Sequence, residues 1–168
     1  RSYNISQSLS KEGHEVTVIT SSTDGKNKKR CITYDGNVKI VWIPVKYSNS
    51  FSFFRRIIAF LIFMSRASIE VLTHKSDLVY ATSTPLTIAI PALIKKLLHK
   101  TNFIFEVRDL WPELPIAMGA LKAKWQIWLA NILEKLVYKQ ASCIIALSTG
   151  MRDGILKKGI DLKKIAVV

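Results

Sequence analysis

Short runs of β-branched and aromatic residues recur along this chain, each separated from the next by a stretch of helical period, and that alternation narrows the folds open to it. The strand-like runs are Glu15-Val-Thr-Val-Ile-Thr20, Val38 to Val45, Asp77-Leu-Val-Tyr-Ala-Thr82, Phe103-Ile-Phe-Glu-Val107, Cys143-Ile-Ile-Ala-Leu-Ser148 and Ile165-Ala-Val-Val168. Phe103 to Val107 is rich enough in aromatic and β-branched side chains to fit a strand buried on both faces, as in a parallel sheet. Between the runs, Ser2 to Lys11 reads as a helix closed by Glu12-Gly13, and Thr149 to Lys158 as one closed by Gly159, glycine suiting the left-handed position that ends a helix. The clearest helix carries Trp125, Trp128, Leu129, Ile132, Leu133, Leu136 and Val137. Their 3-4-3 spacing predicts one core-facing stripe, both tryptophans included. Strands separated by helices predict an α/β fold with an open, mostly parallel, doubly wound sheet.

The connections carry their own signals. Ser21 to Asn37 is polar and reads as a loop, with a short hairpin around Asp35-Gly36 and a solvated basic run Lys26-Asn-Lys-Lys-Arg30. Thr82-Ser83-Thr84-Pro85 reads as a helix start, Thr84 capping and Pro85 at the first helical position, with the hydroxyls facing a cleft. Pro91 should kink the helix that follows or shift its start. Beyond Val107, Pro112 and Pro115 stop any regular ladder and hold Trp111 and Leu114 in a defined loop.

Composition sets the class of partner. The 168 residues include 25 Lys+Arg against 12 Asp+Glu, a net charge of +13, which suits a nucleic-acid surface or an anionic membrane surface. Cys31 and Cys143 lie far apart in unlike contexts, so neither a metal site nor a disulfide framework is suggested and reduced thiols are expected. His14, His74 and His99 are too scattered for a metal centre, and His99 reads as surface. No GxGxxG, Walker loop, HExxH or Gly-x-Ser-x-Gly elbow occurs. Phe51, Phe53 and Phe54 precede Arg55-Arg56 and an apolar core of eight residues, Ile57 to Met64, before Arg66. That core falls short of the roughly 20 apolar residues a transmembrane helix needs. Either the helix packs on the sheet, or its Phe/Arg end also dips into a lipid surface.

Arg108, Asp109 and Glu113 surround a Trp111-Pro112 turn at the carboxyl end of a strand, the edge where open α/β sheets bind ligands. On the residues alone two readings stand: a functional loop, or an Arg108–Asp109 ion pair that ties the loop down with Trp111 as core.

Five segments in order now form a recognisable set: Leu9-Ser-Lys-Glu-Gly-His-Glu-Val-Thr-Val-Ile-Thr20, Thr82-Ser-Thr-Pro85, Val107-Arg-Asp-Leu-Trp-Pro-Glu113, Ile145-Ala-Leu-Ser-Thr-Gly-Met151 and Gly159-Ile-Asp-Leu-Lys-Lys-Ile-Ala-Val-Val168. Over essentially the whole chain they resemble the N-terminal domain of glycosyltransferase family 4. Within it they are most similar to the bacterial surface-polysaccharide subgroup that builds O-antigen and capsule, such as N-acetyl-fucosaminyltransferase-like enzymes. The resemblance implies residues 1–168 as a single Rossmann-like, acceptor-side domain of a GT-B enzyme. Such an enzyme needs no metal or cofactor and performs retaining transfer from a nucleotide sugar, UDP being the expected nucleotide, to a lipid-linked saccharide.

Where the family often has His-Asp beside the transferred sugar, this chain has Arg108-Asp109. That departure removes a histidine role and implies Arg108 as a cation near the leaving diphosphate, or Asp109 as acceptor from sugar hydroxyls. Thr82, Ser83, Thr84, Trp111, Glu113, Ser148 and Thr149 would line the acceptor and donor cleft. Phe53, Phe54, Arg55, Arg56 and Arg66 would face the cytoplasmic leaflet of the plasma membrane, to which the protein binds peripherally. The resemblance further implies a piece of a longer protein, cut at both ends: a first central strand with its glycine-rich loop before Arg1, and a nucleotide-sugar domain after Val168. These 168 residues alone are then expected to be inactive. The alternative function is a non-catalytic basic module for nucleic acid or carbohydrate, but nucleic-acid binding would call for exposed aromatics among the cations, and no nucleic-acid partner is expected. A nucleotide-sugar epimerase would want a dinucleotide fingerprint and a Tyr-x-x-x-Lys pair, and neither occurs.

Overall fold

The computed structural model describes residues 1–22, 29–48, 50–83, 85–119 and 121–168, with the backbone alone at Phe53. It forms two compact units, Arg1–Thr73 and His74–Val168.

In the first unit, α1 (Ser2–Lys11) ends through Glu12 into Gly13, whose φ of +90° is the left-handed geometry expected of glycine there. Strand β1 (Thr17–Ser22) pairs in parallel with β3 (Val38–Pro44), which pairs antiparallel with β2 (Cys31–Asp35), giving the order β1-β3-β2. The expected hairpin is present. Gly36 (φ +57°) supplies the positive φ that a two-residue loop between Asp35 and Val38 needs at its first position. Alternate residues Val41 and Ile43 of β3 are buried. Helix α2 (Phe53–Thr73, 21 residues) packs Ala59, Phe63 and Ala67 onto Ile43 and Val45. Arg30 is an exposed loop residue as expected, but it is also paired: its guanidinium forks onto both oxygens of the nearly buried Glu70, at 2.7 and 2.5 Å, tying the approach to β2 onto α2. Residues 26–28 of that basic run lie outside the described residues.

The second unit is a four-stranded, all-parallel sheet in the order β4-β5-β6-β7: Leu78–Thr82, Asn102–Val107, Cys143–Ala146 and Ile165–Val167. Parallel neighbours need crossovers, and these are supplied by α3 (Ala89–His99), by α4 (Glu113–Ala117) with α5 (Lys124–Gln140), and by α6 (Thr149–Leu156). A sheet that always steps in one direction, with right-handed crossovers, carries its helices on one face. The core lies there: Phe103, Phe105 and Val107 alternate down β5 against Ile144, Ala146, Leu93, Val137, Tyr138 and Ile155, with the Phe105 and Tyr138 rings 6.1 Å apart. The chain is thus α/β and Rossmann-like, as its alternating pattern predicts.

Three local expectations fail, each for a physical reason. Pro85 is extended (φ −79°, ψ 172°) and precedes a short 3-10 turn at Leu86–Ile88, so it stands before the helix and not at its first position. Thr84 lies outside the described residues. The α-helix itself begins at Ala89, in line with the shifted start expected of Pro91, which falls in the first turn where a missing N–H costs nothing. Leu114 sits in α4 and not in a loop, because Pro112 occupies the cap and Pro115 the first turn of that helix.

The third failure concerns α5. Trp125 and Trp128 are each 63% exposed, and Leu129, Ile132 and Leu136 are exposed with them. Of the expected stripe only Leu133 and Val137 pack against the core, joined there by Glu134 and Tyr138, so the buried face is rotated from the stripe with the stronger apolar period. His99 is exposed as expected, whereas Lys95 on the same helix is buried and donates to the His74 carbonyl. Cys31 and Cys143 are free thiols. Among the described residues no helix is long and apolar enough to cross a membrane.

Candidate functional site

The carboxyl ends of β4, β5 and β6 deliver Thr82-Ser83, Arg108-Asp109 and Ser148-Thr149 to one edge of the parallel sheet. Adjacent strands lie about 4.8 Å apart, so the three loops span about 10 Å, the scale of a sugar or a diphosphate. Six of the sequence-predicted residues therefore share one edge.

Ser83 fixes two of these loops to each other. It is 1% exposed; its N–H donates to the Glu106 carbonyl at 2.9 Å, and its Oγ accepts the Arg108 N–H at 2.9 Å. The backbone of Arg108 is thereby clamped while its side chain stays exposed. No Arg108–Asp109 ion pair forms, and the Arg108 guanidinium has no ion-pair partner among the described residues. Asp109 is half-buried and does have a partner. Thr82 differs from its neighbour, since its Oγ1 is buried and bonded to nothing. Ser148 caps α6, its Oγ accepting the Met151 N–H at 3.2 Å, and Thr149 opens that helix exposed.

Trp111 and Glu113 turn elsewhere. Trp111 packs with Leu110 against the core, which is the structural half of the two readings of that turn. Its peptide bond to Pro112 is cis. Glu113 Oε1 lies 2.5 Å from Lys158 Nζ, and the same ammonium lies 2.9 Å from Oε2 of the buried Glu134. Lys158 thus ties α4 to α5 from the end of α6. Burial pushes the Glu134 carboxyl above its usual range, opposed by its hydrogen bond and charge attraction to Lys158. On Lys158 burial acts downward, but the hydrogen bonds and charges of Glu113 and Glu134 outweigh it and leave the ammonium raised. Burial, followed by the Glu134 charge, pushes the Tyr138 phenol up as well.

The sequence reading passed over Glu106, Glu134, Tyr138 and Lys158. Glu106 is 1% exposed and sits beside Thr82 in register on the sheet face opposite the Phe105 core. Its signal was available: a carboxylate inside an otherwise apolar strand is costly unless partnered, and Glu106 is partnered. The Lys158 network had no such signal, because its members are distant in sequence.

The proposed membrane-facing residues separate. Phe54 is 71% exposed and Arg55 is exposed, as are Ile57, Ile58, Phe60, Leu61 and Ile62. Arg56 is half-buried, with a buried Nε that has no hydrogen-bond partner, and Arg66 donates to the Pro44 carbonyl at 2.6 Å. The side chain of Phe53 lies outside the described residues. Among the described residues no three His, Cys, Asp or Glu side chains gather as a metal site would need.

A parallel α/β unit with polar loops collected at the carboxyl edge of its strands has the architecture of a nucleotide- or sugar-handling domain. The chain belongs to the glycosyl transferase 4-like domain family, whose pattern matches residues 1–168. Among solved structures it is similar to a UDP-N-acetylglucosamine 2-epimerase, with a TM-score of 0.48 at 10% identity over 92% of this chain and 48% of that one. The chain therefore spans about half the length of that structure, a likeness too distant to bear on function. No curated protein matches the chain.

Two neighbouring hydroxyls should respond oppositely to removal. Ser83→Ala removes the acceptor of the part-buried Arg108 N–H and should cost about 1 kcal/mol, whereas Thr82→Val deletes a hydroxyl that bonds to nothing and should be neutral or slightly stabilising. Urea denaturation measures both, and equal losses would contradict the clamp. Lys158→Met should leave Glu134 buried without its cation, costing about 1–3 kcal/mol. A carboxyl whose folded pKa is raised contributes stability that is present below its unfolded pKa and is lost as pH rises through the folded value. Removing Lys158 raises Glu134 further, so the variant's deficit should be larger at pH 8 than at pH 5, and a deficit independent of pH would refute the pairing.

Proposed function

We propose that the chain is the acceptor-side part of a retaining GT-B glycosyltransferase. It moves a sugar from a nucleotide donor, with UDP as the nucleotide, to a lipid-linked saccharide in O-antigen or capsule synthesis. Family membership over residues 1–168 supports the class. The observation that carries the site assignment is Arg108, an exposed cation with no ion-pair partner among the described residues, held by a clamped backbone at the carboxyl edge of a parallel sheet.

In this reading Arg108 meets the negative charge that builds on the departing diphosphate. A preorganised cation stabilises developing charge without reorganising at the moment of reaction, which makes this a large catalytic contribution. Asp109 accepts from sugar hydroxyls. Thr149, exposed at the start of α6, meets the sugar rings, while Ser83 and Ser148 hold the loops in place. Neither a metal nor a cofactor enters this scheme. The protein works at the cytoplasmic face of the plasma membrane, bound peripherally through the outward face of α2. Phe54, Ile57 and Leu61 follow the i, i+3, i+7 spacing of one helix face and are all exposed. Apolar side chains beside arginines suit a helix lying in a lipid interface.

Two outcomes follow. In the enzyme with its donor-binding half, Arg108→Ala should lower kcat by roughly 10²–10³-fold while the unfolding midpoint is unchanged. A folded variant with full activity would remove Arg108 from the chemistry. The protein should also float with phosphatidylglycerol vesicles and not with phosphatidylcholine, each basic residue at the surface contributing about 1 kcal/mol. Leu61→Glu should reduce flotation, and binding indifferent to that change or to salt would rule out this face.

A further inference from the structure

A concavity lies within the first unit. It is an open groove of about 510 Å³ lined by Ser22, Pro44, Val45, Lys46 and Phe51 on one side and by Arg55, Ile58, Ala59, Ile62 and Arg66 of α2 on the other. That volume falls within the range of small-molecule sites. Ser22 and Pro44 are the last residues of β1 and β3 and are partners in the parallel register, so the groove opens at the carboxyl end of a parallel strand pair, the edge at which such sheets bind ligands.

The chemistry of its walls is specific. Arg55, Ile58, Ala59, Ile62 and Arg66 follow i, i+3, i+4, i+7 and i+11, one face of a helix. Eleven residues at 1.5 Å per residue place an arginine at each end of an apolar floor about 16 Å long. Lys46 adds a third cation, and among the described residues no acidic side chain lines the groove. Arg66 is already oriented, because its Nη1 donates to the Pro44 carbonyl at 2.6 Å, which leaves the remaining guanidinium donors for an anion. Arg55 and Lys46 are exposed. An apolar floor alone would take any hydrocarbon, and cations alone would take any anion. The two together, on one helix face, fit an anion covalently joined to a chain.

We propose that this groove binds a phosphate-bearing lipid, the phosphate held by Arg66, Arg55 and Lys46 and the first carbons of the chain lying on Ile58, Ala59, Ile62 and Phe51. Guanidinium groups suit phosphate because their donors match two of its oxygens at once. The proposal rests on the reading of the protein as acting at a membrane on a lipid-linked acceptor, and gives the phosphate of such a lipid a site in the first unit.

The test is a binding titration of the protein with dodecyl phosphate, dodecanol and inorganic phosphate, each below its aggregation limit. Dodecyl phosphate should bind saturably and at least about tenfold more tightly than either half alone. Arg55→Ala with Lys46→Ala, both exposed and remote from the core, should weaken it about tenfold, and Ile62→Trp, which fills the floor and keeps every charge, should block it. Equal binding of dodecyl phosphate by the parent and both variants, or binding no tighter than dodecanol, would overturn the proposal. Phosphatidylglycerol vesicles should compete if the groove takes a bilayer lipid, and farnesyl diphosphate should compete more strongly if it takes a lipid-linked acceptor; competition by neither would also overturn it. Because the readout is binding, the two ideas fail separately. Unchanged binding with active transfer would end the groove alone, and lost binding in the variants of a protein that transfers no sugar would end the enzymatic reading alone.

Discussion

Parallel pairing is the constraint from which the second unit follows. Strands that all run one way need a crossover between each pair, and they bring every carboxyl end to the same edge. The order β4-β5-β6-β7 therefore does two things: it stacks the crossover helices on the Phe105 face, and it lines up three polar loops that are separated by dozens of residues in the chain. The sheet sets the neighbourhood of those loops but not their conformation. Ser83 does that locally, taking one hydrogen bond from Arg108 and giving one to Glu106. A serine read from the sequence as part of a cleft wall is thus the group that holds the wall in place, and the catalytic cation proposed next to it owes its position to a neighbour's hydroxyl.

The strands were legible because aromatic and β-branched runs bounded by turn residues have few other uses, and each expected strand appears within two residues of its place. β2 was only partly foreseen: Cys31 to Asp35 carries Thr33, Tyr34 and Asp35, and its stability comes from pairing with β3, with the Trp42 Nε1 donating to Thr33 Oγ1 at 2.8 Å, rather than from its own pattern. The prolines misled in a consistent way. Pro85, Pro112 and Pro115 were read as breakers or as helix starters by type, whereas position decides. A proline in a first turn forfeits a hydrogen bond that would not exist in any case, so α4 forms across two of them. For α5, periodicity correctly announced an apolar face, of which only Leu133 and Val137 reach the core. The face that packs contains Glu134 and Tyr138, polar residues that become acceptable only once Lys158 arrives from the end of α6, and that partnership cannot be read locally.

The excess of positive charge also divides on inspection. Arg30 forks onto Glu70, Lys158 bridges two glutamates, Lys95 reaches the His74 carbonyl, and Lys164 donates to the Lys139 and Ala141 carbonyls at 2.9 and 3.1 Å, closing the carboxyl end of α5. Several cations are therefore structural ties with acceptors of their own. A nucleic-acid surface would need basic side chains interleaved with exposed aromatics along one continuous patch; α5 does expose two tryptophans, but these internal ties draw part of the surplus away from any such patch.

The cations of α2 that remain are distributed by helix geometry. Phe54, Ile57 and Leu61 point outward, Arg56 turns toward the packed side, and Arg55 and Arg66 flank the groove. One helix of 21 residues thus presents an apolar outer face and a basic-apolar flank about a quarter turn apart. Neither face explains the other: a helix that merely packed on β3 would not expose four aliphatic side chains between Ile57 and Ile62, and a purely interfacial helix would not orient Arg66 through the Pro44 carbonyl over a concave floor. A helix that both rests on lipid and receives a lipid phosphate from it would need both. The separation of Leu61 from Ile62, adjacent in sequence and on different duties, makes that combination something two single substitutions can take apart.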